Sequence, residues 1–410
     1  MSQRAAAAKS TDRFERKSEA ILDAATEILN RKGIRGLTLG ATAAAVDLST
    51  TSVTYYFKRK DDLAAACITR GIEVFHDLAE AAMRAPTPPE RLHAFLTGYL
   101  DVRRRIALGA HPPLPIISEL RALASPRREE VVQIYGRLFR KTRQIFDHPD
   151  LLWMSRGRRT ARTRVLLELV FWGGDWLAKF DPEDYPRIRD RMMDILIHGV
   201  APEGAQWAPE PIPMEDLAER EAPEQARETF LLAATRLINR RGYRGASVDK
   251  ISAELNVTKG SFYHHNEAKD DLVVECFERS FEVMRRAQRL AMELPGDQWV
   301  QISSCAAALA EFQLSEHGPL LRTLALTALP EAMRRVMVEH ASRVSDRFGS
   351  MFADGIAEGS IRPVDPFIAS QMLTATLNAC AELGYLVPDV RPKAAASVFV
   401  KPLLMGIFEK

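Results

Sequence analysis

"TTSVTYYFKRKDDL" (Thr50–Leu63) and "KGSFYHHNEAKDDL" (Lys259–Leu272) stand 209 residues apart in this chain, agreeing at Ser52/Ser261 and over their last four residues and differing between. Extended without a gap to Ala24–Leu63 and Ala233–Leu272, the comparison gives 14 identities in 40 positions, among them Asn30, Gly33, Ser52, Lys60 and Leu63. Several other positions exchange like for like, as in Thr38/Ser247 and Ser49/Thr258. Ungapped agreement of that extent marks an internal duplication.

Each copy reads as three short helices followed by a fourth. Ile21, Ala25, Ile28 and Leu29 form one apolar helical stripe, and Phe230, Ala234, Leu237 and Ile238 repeat it. Gly33 and Gly242 follow a basic last turn and predict its end. Thr38 and Ser247 are placed to cap a second helix, over Leu39–Val46 and Val248–Leu255. Asp47-Leu48 and Asn256-Val257 make a tight turn, and Ser49 and Thr258 cap the third helix. Lys60 and Lys269 open the fourth, where Asp61-Asp62 and Asp270-Asp271 suit the positive end of the helix dipole.

Further periodic stretches lie near Glu90–Leu108, Glu129–Phe146, Thr160–Phe180 and Arg187–Val200, and again near Val300–Leu314, Pro330–Glu358, Asp365–Leu386 and Lys393–Phe408. Strand signals are scarce, so the expected fold is all-α: two tandem units, each a group of short helices followed by a larger helical domain. The expected boundaries are a basic N-terminal arm over 1–14, a first DNA-binding domain over 15–75 and a first helical domain over 76–200. A proline- and acid-rich linker follows over 201–223, then a second DNA-binding domain over 224–284 and a second helical domain over 285–410. The linker, able to reach about 80 Å when extended, is expected to restrain the units little. The basic arm reads either as a solvated tail or as a phosphate contact.

Composition narrows the function. Charged residues at 27% and hydrophobic ones at 46% describe a globular chain, and a net charge of +2 confines any nucleic-acid affinity to local patches. Cys67, Cys276, Cys305 and Cys380 lie far apart with no CxxC pair, which predicts buried free thiols in a reducing compartment. No run of about 18 apolar residues predicts a membrane span, and the N-terminus has no signal-peptide core. We expect a cytoplasmic protein. Walker, GxSxG, HExxH and GxGxxG signatures are absent, so no enzyme activity, catalytic residue or cofactor is expected. His264, His265 and Glu267 do not suggest a metal, since adjacent helical side chains diverge by about 100°.

Two short helices joined by a tight turn form a helix-turn-helix, with Ala44 and Ala253 expected to permit the close approach. The second helix of such a pair offers its first turns to the DNA major groove. In copy one that face is Ser49, Thr50, Thr51, Ser52, Thr54, Tyr55 and Tyr56; in copy two it is Thr258, Lys259, Gly260, Ser261, Tyr263, His264 and His265. Hydroxyls bond bases or phosphates, lysine bonds guanine, and methyls meet thymine. Val53 and Phe262 are expected in the core. Tyr263 is expected at a phosphate. Lys60 and Lys269, with the free N–H groups of a helix start, suit a phosphate, and Thr38 and Ser247 flank the same face. Trp172 and Trp176, at i and i+4 around "WGGDW", are read either as core or as the wall of a ligand pocket. The glycines between them suggest close helix approach. The arginine-rich run Arg156–Arg164 is expected to be a solvated loop and helix start.

Both copies resemble the DNA-binding domain of the tetracycline-repressor-like (TetR) family of bacterial regulators. "AATRLINRRGYRGASVDKISAELNVTKGSFYHHNEAKDDL" matches that pattern nearly throughout, departing at Asn266. "AATEILNRKGIRGLTLGATAAAVDLSTTSVTYYFKRKDDL" diverges more, with Thr50-Thr51 where Lys-Gly is usual and Thr54 where tyrosine is. The resemblance implies a dimer whose last two helices pack as a bundle, an apolar effector pocket in each C-terminal domain, and repression that the effector relieves. It implies as partners a double-stranded DNA operator and a small apolar effector. The duplication adds that one chain supplies both halves of an intrachain pseudo-dimer, a homodimer of chains staying open, with heads free to read unequal half-sites. The rival reading is a ligand-binding or structural protein that keeps this fold without specific DNA binding.

Overall fold

The computed structural model describes residues 2–218, 225–246, 248–254, 269–381 and 391–410. The first unit consists of α1 (Ser2–Gly36), α2 (Leu39–Ala45), α3 (Thr50–Tyr56), α4 (Lys60–Ala82), α5 (Pro88–Ala107), α6 (Arg127–Arg143), α7 (Arg156–Trp176) and α8 (Tyr185–His198). A short α9 (Met214–Ala218) precedes the second unit: α10 (Gln225–Gly245), α11 (Val248–Glu254), α12 (Lys269–Met292), α13 (Gln298–Phe312), α14 (Glu331–Glu358), α15 (Pro366–Cys380) and a helical run over 392–405. Among the described residues there is no strand. The long helices begin within a few residues of the ranges the apolar period predicts, and the end expected at Leu386 lies outside the described residues.

Glycine ends the first helix of each head by conformation. Gly33 holds φ 60° and ψ −178°, and Gly242 holds φ 68° and ψ 170°, values that break the helical path and turn the chain toward the reading head. The stretch expected as a basic arm is instead helical from Ser2, continuous with α1.

Asn30 and Asn239, identical in the two copies, do the same work in each unit. The Asn30 amide donates to Leu114 O at 2.8 Å and its oxygen accepts from Ile116 N at 3.0 Å. Asn239 repeats this with Leu320 O at 2.8 Å and Arg322 N at 3.2 Å. Both ends of one side chain thus tie each head to the segment that opens a 3-10 turn, Ile117–Ala122 or Thr323–Ala328. Each turn then touches the first helix of the opposite unit as well.

The last two helices of each unit meet those of the other. α7 packs on α15 and α8 on 401–405, while α7 against 396–400 mirrors α15 against α8. The match is reciprocal even in the backbone: Val200 N donates to Leu404 O at 2.8 Å, and Ile407 N to Leu196 O at 2.7 Å. Arg362 donates from Nε to Gly199 O at 2.7 Å and from Nη2 to Asp194 Oδ2 at 2.8 Å, while Arg162 Nε donates to Ile407 O at 2.6 Å. Arg191 and Asp365 add an ion pair between the units.

Two expectations fail here. The linker is not a loose tether over its described part, 201–218, because its apolar residues find a surface. Ile212 and Leu217 are buried, Trp207 meets Trp299 edge-on at 6.5 Å, and Trp299 Nε1 donates to Gln206 O at 3.2 Å. The run Arg156–Arg164 forms the first half of α7, and Arg162 and Arg164 are buried rather than solvated. Their long side chains reach carbonyls and a carboxylate inside the junction; burial, then Arg158, lowers Arg162 to about 10.

Candidate nucleic-acid interface

The first reading head is set by its caps. Thr38 Oγ1 accepts from Ala41 N at 3.0 Å and starts α2; Ser49 Oγ accepts from Ser52 N at 3.1 Å and starts α3. Each satisfies an N–H the helix itself leaves open. Between them Asp47 takes φ 52°, a left-handed conformation that Asp tolerates better than most side chains. The buried residues of α2 are Thr42 and Ala43, whereas Ala44 is exposed, as is Ala253 in the second copy. The sequence reading was one position off, because a one-residue step turns a helical side chain by about 100°.

Val53 is the buried residue of α3, as expected. Thr50, Thr51 and Tyr55 are exposed; Ser52, Thr54 and Tyr56 are partly so. The face predicted to meet DNA therefore points outward. Its members do not all serve alike. Ser49 and Ser52 bond each other at 2.8 Å, and Thr54 Oγ1 donates to Thr50 O at 2.8 Å, so these hydroxyls keep acceptor lone pairs but have local partners. Thr50, Thr51 and Tyr55 are left as the open groups. Phe14, from α1, stacks on Tyr56 at 4.6 Å and meets Tyr55 edge-on at 6.2 Å, fixing both rings. The sequence reading did not single out Phe14; an aromatic within a basic stretch was the available signal.

Lys60 is the first residue of α4, half-exposed beside exposed Lys58 and Arg59. Asp62 closes the helix start by accepting from Arg59 N at 3.1 Å, and its other oxygen accepts from Arg127 Nε at 2.8 Å. The acid expected to complement the helix dipole thus also joins the head to α6.

In the second head, Lys269 opens α12 as predicted. Ser247, Thr258, Lys259, Gly260, Ser261, Phe262, Tyr263, His264 and His265 lie outside the described residues. Among the described residues no His, Cys, Asp and Glu group could hold a metal, and no helix is long and apolar enough to cross a membrane.

Trp172 and Trp176 both line a cavity of about 520 Å³ between the units. Trp172 Nε1 donates to Gln371 Oε1 at 3.1 Å, and Trp176 packs edge-on against Phe367 at 6.0 Å. Phe75, Ile116, Leu326 and Val338 extend the apolar wall, with Arg103, Asp175 and Arg334 as polar points. Asp175 opens onto the cavity, yet the surrounding protein raises its carboxyl despite Arg103 and Arg334. Arg334 also donates to Arg31 O at 3.2 Å, linking this wall to the end of α1. The glycines of "WGGDW" permit close approach: a Cβ at Gly173 would fall 2.6 Å from Tyr99 Oη of α5.

The profile described as "Bacterial regulatory proteins, tetR family" matches residues 21–67 and 230–276. The chain is 24% identical over 148 residues to the uncharacterized HTH-type transcriptional regulator YhgD of Bacillus subtilis (strain 168), covering 34% of this chain and 74% of that one. It is 36% identical over 52 residues to the transposon Tn10 TetC protein of Escherichia coli, covering 13% of this chain and 26% of that protein. The TetR family transcriptional regulator PfmR of Thermus thermophilus aligns with 44% of this chain and 99% of its own, at 22% identity and a TM-score of 0.37. The first matched segment carries the caps, turn and outward face described above. The chain thus carries, in tandem, two segments that match the profile of the tetR family of bacterial regulatory proteins.

Proposed function

We propose that this regulator binds a specific operator through two unequal reading heads in one chain, and that it is a repressor relieved by a small apolar effector. The observation that carries the reading is the outward face of α3, held by caps at Thr38 and Ser49 in a unit that the sequence repeats. The packing of α7 and α8 on α15 and 392–405 supports an intrachain pseudo-dimer, since it already uses the helices through which the family resemblance expects two chains to pair.

The cavity behind Trp172 and Trp176 is the proposed effector site. Its apolar wall suits a small hydrophobic molecule, with Asp175 and Gln371 to orient a polar end. It is built from both units, so a ligand there alters how they sit. We take the effector to favour a spacing of the heads that cannot span half-sites about 34–36 Å apart. Arg334, bonded to Arg31 O, is a route from the cavity to the first head.

The test is selection of bound fragments from random duplex DNA, followed by sequencing. One recurrent bipartite motif is expected. Salt-sensitive retention with no preferred sequence would favour the rival, a tetR-type fold without an operator.

A further inference from the structure

The internal repeat relates two cavities as well as two heads. Because Asn30 and Asn239 hold Ile116 and Arg322 in the same way, those two residues are equivalent. The same spacing carries Leu120 to Leu326, Arg128 to Arg334 and Val132 to Val338. One cavity is lined by Ile116, Leu326, Arg334 and Val338; a second, of about 720 Å³, is lined by Arg322, Leu120, Arg128 and Val132. They are the two mates of one ancestral junction, and Ile117, Ser118 and Phe171 stand in the walls of both.

Their chemistry has diverged. Where the first has Ile116 and its tryptophans, the second gathers cations from both units. The first unit contributes Arg121, Arg128 and Arg164, and the second contributes Arg240, Arg241, Lys250 and Arg322. The lining residues themselves include no carboxylate among those described, and Arg128, at the rim, pairs with Glu129 at 3.1 Å. Glu168, behind the wall, pairs with Arg164 and lies 3.5 Å from Arg322 Nη2. Burial, and then Arg121, holds the Arg322 guanidinium well below its ordinary value even with Glu168 beside it. Low-dielectric walls focus such a field, and guanidinium forks match phosphate oxygens in pairs.

We propose that the second cavity is a binding site for a small, multiply charged anion bearing phosphate groups, distinct in chemistry from the apolar effector. The protein then takes two inputs at two descendants of one site. The location gives the anion a consequence. Arg240 and Arg241 immediately precede Gly242, where α10 breaks, and Lys250 belongs to α11 of the second helix-turn-helix. An anion bridging them to Arg121 and Arg128 ties the second head to the body of the first unit. That regulatory consequence rests on the operator reading above; the binding does not.

Calorimetric titration of the full chain with inorganic pyrophosphate, without DNA and at constant ionic strength, tests the binding directly. The expected result is saturable binding of one equivalent, with inorganic phosphate weaker and chloride inert. The combined change Arg121→Gln and Arg241→Gln should weaken it at least tenfold, whereas Arg343→Gln, on the exposed side of α14, leaves it unchanged. Arg128→Gln, at an exposed position, gives a milder loss and serves as the readout should the double variant not fold. No saturable heat, a loss equal in the Arg343→Gln variant, or affinity indifferent to the cavity arginines would overturn the proposal. If pyrophosphate binds as expected but the protein selects no operator, the site stands and the regulatory reading falls.

Discussion

Asp47 holds φ at 52° in the turn between α2 and α3, where a β-branched side chain would clash with its own backbone. Asp47→Ile should therefore destabilise the first head by about 1–2 kcal/mol, while Asp47→Gly should cost little; thermal unfolding of the two variants decides it. The turn and both caps were legible, since Thr, Ser and Asp have local chemistry that tertiary contacts do not alter. Ala44 was not placed correctly, because which of three adjacent alanines faces inward depends on the crossing of α2 and α3. The fate of Arg162 was illegible too, because its partner, Ile407 O, lies in the other unit; Arg164 and Glu168 stand at i and i+4 on one helix, a legible pair whose burial only the junction reveals. The four thiols behave as expected of buried, free cysteines. Burial raises Cys67 from an ordinary 9.0 to about 11 and Cys276 to about 12, and lifts Cys305 and Cys380 further. A raised folded pKa gives stability that is whole below the unfolded value and lost as pH climbs toward the folded one. Stability should thus fall above about pH 9, by up to about 1.4 kcal/mol per pH unit for each thiol. Cys276→Ala should flatten that slope in denaturant titrations at pH 8 to 11; an unchanged slope would contradict the assignment.

At the scale of the element, helix extents were the most readable feature, because a 3.6-residue apolar period is a local property. The linker shows the limit. Its prolines and acids suggested a free tether, but Trp207, Ile212 and Leu217 are enough to dock it on the second unit, and only the surface they meet reveals that. The helix ends at Gly199 and Gly406 carry a close backbone approach between units. Gly199 has φ 69° and a Cβ there would sit 2.7 Å from Leu404 C; Gly406 has φ 116° and a Cβ would sit 2.6 Å from Ile197 O. Both obstacles are backbone, which cannot step aside as a side chain can. Gly199→Ala and Gly406→Ala should each cost about 1–3 kcal/mol and loosen the junction, seen as faster amide exchange in α8 and 392–405. A control at Gly204, with φ 80° but open space around its Cβ, should show a smaller loss and no loosening.

Across the whole molecule, duplication turns a symmetric dimer into a chain whose halves can diverge. The heads have diverged at Thr50-Thr51 against Lys259-Gly260, and the junction cavities at Ile116 against Arg322. The first divergence could be read from the sequence, since it falls inside the ungapped repeat. The second could not, because the cavity walls are assembled from residues far apart whose equivalence becomes visible only through the Asn30 and Asn239 clamps. Unequal heads predict an imperfect palindrome, with Thr50→Ala and Lys259→Ala weakening opposite halves in footprints. Lys60→Ala should lower affinity without changing sequence preference, and reduce the salt slope by about one unit.

The claim on which the others depend is that a single chain supplies both reading heads to one operator. Native mass measurement of the complex on the selected duplex tests it most directly. One chain per duplex, with both half-sites protected in a parallel footprint, is the predicted result. Two chains per duplex, or one chain protecting a single half-site, would contradict it.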